Sequence, residues 1–494
     1  MEIRHARFDM HELAKRAAES VGSTYSQCAR IDKYPDGMFN KAFLFTMQDG
    51  KQVVGKVPNP NAGRPHYTTA SEVATMDFVR TRLGTPVPKM HAWNSNATGS
   101  PVGAEYVIME KVSGVQLEHV WSELPIEDKF EVVKTISRYQ KAWMSVSFPA
   151  YGSLYYADDL NPSGKGLLVD EATSNSPFAV GPSTGRGFFD DGKSALDFDR
   201  GPWTTAEQYK SAIGHRENTC IQNIPQLPRS PIALYGPGTY KPTRAKKIIA
   251  LKNYLQILKY LLPTDPSISL PSLFHPDLHT ENIFQSTEVL PLFDQARQPY
   301  ILDYDGPEPT GLDRPKLPDH YSELNPAEKH ETYTLYLNLS LATLYRKYTS
   351  LKTPRFFQGM EFRNTTSFDM MLLVQNLLTG GEAIYHSQIL DIREERSNLP
   401  GVQAAGNLPF PVQISLEEAK AIEEDPEGAA EAMEIMRELR ESLGDFWPEN
   451  GVVRADQYEE FKRLLGDAKI ELINRLAGYE DKRGAWEEVW PFDD

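Results

Sequence analysis

The chain has 494 residues, 40% of them apolar and 24% charged, a composition that suits folded domains and excludes a disordered or fibrous protein. Its 52 Lys and Arg stand against 68 Asp and Glu, a formal charge of −16. With no compensating basic cluster, that balance argues against binding nucleic acid or anionic membrane.

Two cysteines, Cys28 and Cys220, give no disulfide framework and no zinc knuckle, which fits a reducing compartment. The N-terminal stretch carries Glu2, Asp9, Glu12 and Glu19 without an apolar core, so neither a signal peptide nor a transit peptide is expected. The best apolar stretch, 248–262, is broken by Lys252 and Lys259. A cytoplasmic protein without an integral membrane segment is the expectation.

In chain order, residues 8–21 predict a short amphipathic helix with Leu13, Ala17 and Val21 on one face. The runs 41–47 and 52–57 read as strands, joined by a turn at Asp49-Gly50. Helical spacing returns over 68–84, with Thr or Ser at its start and Gly84 at its end, before Pro86 and Pro88. The apolar run 104–112 reads as a buried strand. This β-β-α-β order predicts an α+β fold that begins with a small antiparallel-sheet lobe over 1–112.

Residues 113–494 read as a larger, mainly helical lobe. A buried helix is expected over 126–146, with Phe130, Val133, Ile136 and Trp143 inward. The Pro-, Gly- and Ser-rich stretch 147–246 reads as irregular, and 244–247 as the solvated start of a helix that continues over 248–262. Residues 326–390 and 416–480 look helical, with a break at Asp425-Pro426 and a charged solvent face.

The densest polar pattern is His275-Pro276-Asp277-Leu278-His279-Thr280-Glu281-Asn282, followed by Tyr300-Ile301-Leu302-Asp303-Tyr304-Asp305, read as a strand end. Phosphoryl transfer from ATP needs a carboxylate to take the hydroxyl proton and hard oxygen ligands for Mg²⁺. Asp277 supplies the first; Asn282 and Asp303 supply the second, the amide adding no negative charge beside the phosphates. Zinc binding by His275 and His279 would need a helix at that spacing, and Pro271 and Pro276 point to a loop instead. His275 then reads as a loop-bracing residue and His279 as one that packs the loop or orients Asp277.

These motifs resemble the aminoglycoside phosphotransferase and choline-kinase-like family, small-molecule kinases with a bilobal protein-kinase-like fold. Their loop usually reads His-Gly-Asp-Leu-His-x-x-Asn, and their metal strand Ile-Asp-Trp-Glu. Here Pro276 replaces the Gly, and Tyr304-Asp305 replaces Trp-Glu. The segment Leu196-Asp197-Phe198-Asp199-Arg200-Gly201-Pro202-Trp203 and the C-terminal helices resemble, more narrowly, the large fungal branch of altered-inheritance-of-mitochondria phosphotransferase-like proteins. That branch implies mitochondria, which this N-terminus does not support.

The resemblance implies ATP and Mg²⁺, with Lys56 on an apolar strand over the phosphates and Glu72 on the next helix orienting it. Without the resemblance, Lys56 is a strand-edge lysine and Glu72 an acid favoured by a helix N-terminus. The resemblance also implies that backbone groups at Phe39 and Asn40 cover the phosphates, in a turn with one glycine, and that Glu110 and Val112 flank the adenine. Asp305 would assist a second metal or brace the loop. The acceptor would be a small molecule bearing a hydroxyl, and the acidic balance favours a cationic one. A protein kinase fits less well, lacking His-Arg-Asp and Ala-Pro-Glu; a non-catalytic nucleotide-binding scaffold is the other alternative.

Overall fold

The structure, a computed structural model, describes residues 6–160, 166–169, 176–230, 232–237, 240–274, 288–306, 309, 311–405, 409–448, 453, 457–477 and 480–492. Its elements in chain order begin with α1 (Met10–Glu19), β1 (Cys28–Lys33), β2 (Asn40–Met47), β3 (Gln52–Pro58), α2 (Tyr67–Thr81), β4 (Met90–Asn94) and β5 (Tyr106–Glu110). Next come α3 (Glu118–Trp121), α4 (Ile126–Trp143), β6 (Gly152–Tyr156), β7 (Leu167–Leu168), β8 (Phe178–Gly181), α5 (Ala206–Asn223) and α6 (Arg244–Leu261). The hairpin strands β9 (Pro271–Phe274) and β10 (Glu288–Pro291) lead into α7 (Leu292–Gln295), α8 (Pro326–Lys352) and α9 (Pro354–Phe362). The chain continues through α10 (Thr366–Val374), α11 (Glu382–Glu394), α12 (Pro400–Ala405), α13 (Leu416–Leu443), α14 (Tyr458–Ala477) and α15 (Glu480–Val489). The class is α+β, as the sequence predicts, with two antiparallel sheets.

Two compact units divide the chain, Met1–Tyr209 with Pro263–Thr365, and Lys210–Leu262 with Thr366–Asp494. The first unit opens with a five-stranded sheet in the order β1-β2-β3-β5-β4. Alternation along β2 buries Phe43, Phe45 and Met47 beneath Leu13, Ala14, Ala17 and Ala18 of α1. The β2–β3 turn closes as Asp49-Gly50 predicts: Gly50 has φ +83°, and its N–H donates to Met47 O at 3.0 Å. Strands β1 and β4 escape sequence reading, because β1 is mostly exposed and β4 only half-buried.

Helix α2 starts without the expected Thr or Ser cap. Its N-terminus is tied across the chain instead: Glu105 accepts from the His66 N–H at 2.6 Å and from the Thr69 hydroxyl. One face of α2, with Ala74 and Phe78, packs on Leu154, Phe178 and Val180 of the second sheet, whose order is β7-β8-β6-β10-β9. The stretch expected to be irregular, 147–246, therefore supplies three strands of that sheet and the helix α5. Alternating polarity is absent there because β6 and β8 are almost wholly buried. Behind it, α4, α8 and α9 enclose Val133, Trp143, Leu292, Leu341, Tyr345 and Phe356.

The second unit is helical among the described residues. Helix α13 runs unbroken through Pro426, correcting the expected split. The half beyond Pro426 is anchored by Ile435, Met436 and Leu439 against Leu472 and Trp486, and Asp425 pairs with Lys246 at 2.5 Å. Nor is 244–247 a solvated helix start. Lys247 is buried and pairs with the buried Glu382 at 2.8 Å, while Arg244 donates to the carbonyls of Ile221, Ile224 and Pro225.

Candidate active site

Register carries Lys56 to its place. In β3 it lies opposite Ala42 of β2 on one side and Val107 of β5 on the other. Its neighbours Val53 and Val57 enter the core with Ile108, and Lys56 itself is only 8% exposed. A buried ammonium needs a counter-charge, and Glu72 of α2 supplies it through a direct Nζ–Oε1 ion pair. The strand–helix pair expected at Lys56 and Glu72 is thus physically present.

The turn before β2 is stapled rather than loose. The Gly37 N–H donates to Asn40 O at 3.1 Å, and the Asn59 N–H donates to Phe39 O at 2.8 Å. Side-chain amides of Asn59 and Asn61 donate to Met38 O at 3.3 and 3.4 Å, and the Arg186 guanidinium lies 3.9 Å over the Phe39 ring. Asn59, Asn61 and Arg186 were not singled out in the sequence. Their only local signal is Asn-Pro-Asn directly after β3.

Glu110 ends β5 opposite Val53, and its side chain is committed within the sheet. The carboxylate accepts from the Lys89 N–H at 3.0 Å and lies 3.6 Å from Arg80. The Glu110 N–H also donates to Lys89 O at 2.9 Å, so any adenine contact at this position would fall to its carbonyl. Val112 is 50% exposed.

Asp277 and Asn282 lie outside the described residues, as do His275 and His279. The strands flanking them are described: β9 leads in, and it pairs with β10, Phe274 opposite Glu288 and Pro271 opposite Pro291. The strand expected at 300–305 is instead a 3-10 turn over Tyr300–Leu302, with extended backbone at Asp303 (φ −70°, ψ 144°). Pro299 favours that turn, and the role of hairpin partner falls to β10. The turn is held by its own Asp303 N–H to Tyr300 O bond at 3.0 Å and by the Gln298 amide on Leu302 O at 3.1 Å. Buried Tyr345 accepts from the Gln140 amide at 2.6 Å and donates to Arg297 O at 3.4 Å.

The Asp303 residue is exposed and lines a cavity of about 450 Å³ with Gln298, Tyr304 and three arginines, Arg297, Arg346 and Arg363. Among the described residues no cluster of three or more His, Cys, Asp or Glu could cage a metal. Mg²⁺ does not need one, since one or two carboxylates with substrate phosphates commonly hold it. An exposed carboxylate at Asp303 and a buried Lys–Glu pair suit Mg²⁺ and ATP respectively.

The segment 196–203 braces itself. Asp199 accepts from the Gly201 N–H at 2.9 Å and from the Trp203 indole at 2.7 Å, and Arg200 donates to Lys193 O and Leu196 O, each at 3.0 Å. Buried Trp203 packs on Phe188 and Tyr209. These contacts serve the fold of the first unit.

No family model matches the sequence. The chain is 28% identical over 515 aligned residues to a subtelomeric hrmA-associated cluster protein of Aspergillus fumigatus, covering 94% of this chain and 97% of that protein. It is 27% identical over 362 residues to altered inheritance of mitochondria protein 9 of Saccharomyces cerevisiae, covering 63% of this chain and 55% of that protein. Among solved structures it is similar to a candidate aminoglycoside phosphotransferase of Ralstonia eutropha, at 14% identity and a TM-score of 0.36, over 87% of this chain and 99% of that one. A candidate fructosamine-3-kinase of Thermobifida fusca is similar at 13% identity and a TM-score of 0.37, over 78% and 97%. No helix among the described residues is long and apolar enough to cross a membrane.

Proposed function

We propose that the protein is a small-molecule kinase of bilobal, protein-kinase-like plan, with a nucleotide lobe over 1–112 and a catalytic lobe over 113–494. It would move the γ-phosphoryl group of ATP to a hydroxyl. The observation that carries this reading is the buried Lys56–Glu72 pair between β3 and α2. An ammonium held by a carboxylate in that position is the arrangement phosphoryl transfer uses to grip nucleotide phosphates.

In this reading Glu72 orients Lys56, whose Nζ binds phosphate oxygens. Backbone N–H groups at Phe39 and Asn40 cover the phosphates, and the backbone at Glu110 and Val112 receives the adenine edge. Asn282 and Asp303 would hold Mg²⁺, which when bound neutralises charge on the phosphates. Asp277 accepts the proton of the acceptor hydroxyl as its oxygen attacks phosphorus, giving ADP and a phosphomonoester.

The test is ATP turnover, with water as acceptor where no other is known. Asp277→Asn keeps size and shape but cannot take the proton, so turnover falls about 10²–10⁴-fold. Asp49→Asn, in the β2–β3 turn, keeps the hydrogen bond to the Lys51 N–H and leaves turnover unchanged. Parental turnover by a folded Asp277→Asn would overturn the base assignment.

A further inference from the structure

Three arginines, Arg297, Arg346 and Arg363, share the lining of the cavity at Asp303 with one carboxylate. Arg346, from α8, has a side chain only 12% exposed and pairs with the exposed Glu361 at 2.6 Å through one terminal nitrogen. Its Nε is buried and has no hydrogen-bond partner among the described residues. A cavity occupant would therefore meet Arg346 through its terminal nitrogens.

Arg297 follows α7 and lies 4.5 Å over the Tyr300 ring. That stacking leaves its in-plane donors available, and no carboxylate among the described residues lies within ion-pair distance of it. Arg363 caps α9 and donates to Asp294 O at 2.7 Å. Close helix packing sets these positions: a Cβ at Gly359 of α9 would stand 2.8 Å from the Ala296 side chain, one residue before Arg297.

Guanidinium forks match the paired oxygens of phosphate and carboxylate groups, and several on one cavity wall select an oxyanion over a cation. We propose that this cavity binds an oxyanion group of the phosphate acceptor, which is therefore a hydroxylated acid or phosphate ester and not the cationic alcohol that net charge favours. The identification of the occupant as the acceptor rests on the phosphotransfer reading, because the same lining carries Asp303. The nucleotide's own phosphates belong to Lys56, on a different element.

The probes are inorganic phosphate and acetate, each titrated into the full chain at matched ionic strength against chloride and followed by thermal unfolding. In the parent, one or both raise the unfolding midpoint in a saturable way. The stronger of the two shows whether the site prefers phosphate or carboxylate. Loss of charged hydrogen bonds in Arg297→Gln or Arg346→Gln weakens that binding about tenfold or more. Arg346→Lys keeps the charge beside Glu361 but loses the fork, and weakens it as well. Lys51→Met, at an exposed lysine of the β2–β3 turn outside both sites, leaves oxyanion binding as in the parent.

No midpoint shift in the parent, or a shift lost in Lys51→Met and kept in both Arg→Gln variants, overturns the site. A parallel Mg²⁺-ATP titration separates the two readings. Oxyanion binding that depends on the arginines, in a chain that binds no Mg²⁺-ATP, overturns the acceptor assignment and the phosphotransfer reading while the oxyanion site itself stands.

Discussion

Replacing Lys56 by Met keeps the apolar stem in β3 but strands the Glu72 carboxylate. Removing one partner of a buried pair costs about 3–5 kcal/mol. The side chains keep 10% and 16% exposure, so water recovers part of that and about 2–4 kcal/mol remains. Hydrogen exchange at the amides of β3 and α2 reads this directly, because local opening there accelerates by ~30- to ~900-fold for that loss. The second arm is Lys56→Met with Glu72→Gln. Replacing both charges by neutral groups of similar volume is close to neutral, so the double variant returns to within about 1 kcal/mol of the parent. A single variant that exchanges like the parent would refute the reasoning, as would a double variant that exchanges as fast as the single one.

Asp303→Ala weakens Mg²⁺-ATP binding more than Asp277→Ala does, because Asp303 would touch the metal and Asp277 mainly the acceptor; equal, parental affinity in both sinks the metal assignment. In the second unit, burial holds the His386 imidazole below its ordinary pKa of 6.5, while its Nε2 lies 3.0 Å from Lys246 O. The unfolded chain therefore binds the extra proton first. The stability this residue contributes is present above pH 6.5 and is lost as pH falls through the folded-state value, at up to about 1.4 kcal/mol per pH unit. Denaturant midpoints of the second unit at pH 7.5 and 5.5, compared with His386→Gln, check this; an unchanged pH slope in the variant contradicts it. Asp199→Ala removes the acceptor of the buried Trp203 indole and destabilises the first unit by about 1–3 kcal/mol without changing Mg²⁺-ATP affinity, as chemical denaturation and nucleotide titration together would show.

The elements of the first sheet and of α2 were legible because their cues are local. Period-two burial in β2, the Asp-Gly turn and the helical spacing of α2 all lie within a few residues of one another. Lys56 and Glu72 could be paired in advance only through the resemblance, since nothing in a linear sequence says that a strand lysine meets a helix acid 16 residues on. The second sheet escaped for the opposite reason. Strand β6 pairs with β8 and with β10, which lies more than a hundred residues away, and a fully buried strand shows no alternation. The 3-10 turn before Asp303 was misread because Tyr-Ile-Leu has strand composition, whereas Pro299 and the Gln298 bond to Leu302 O favour a turn. A net charge summed over 494 residues likewise does not show that three arginines line the same cavity as Asp303.

The most direct test of the central claim is a calorimetric titration of a non-hydrolysable ATP analogue, with and without Mg²⁺, into the parent and into the Lys56→Met, Glu72→Gln double variant. The parent should bind one equivalent in a Mg²⁺-strengthened, saturable way, and the stably folded double variant should bind at least about tenfold more weakly, because it lacks the ammonium that grips the phosphates. No binding by the parent, or equal affinity in the two proteins, would contradict the assignment of this chain as an ATP-dependent phosphotransferase built on the Lys56–Glu72 pair.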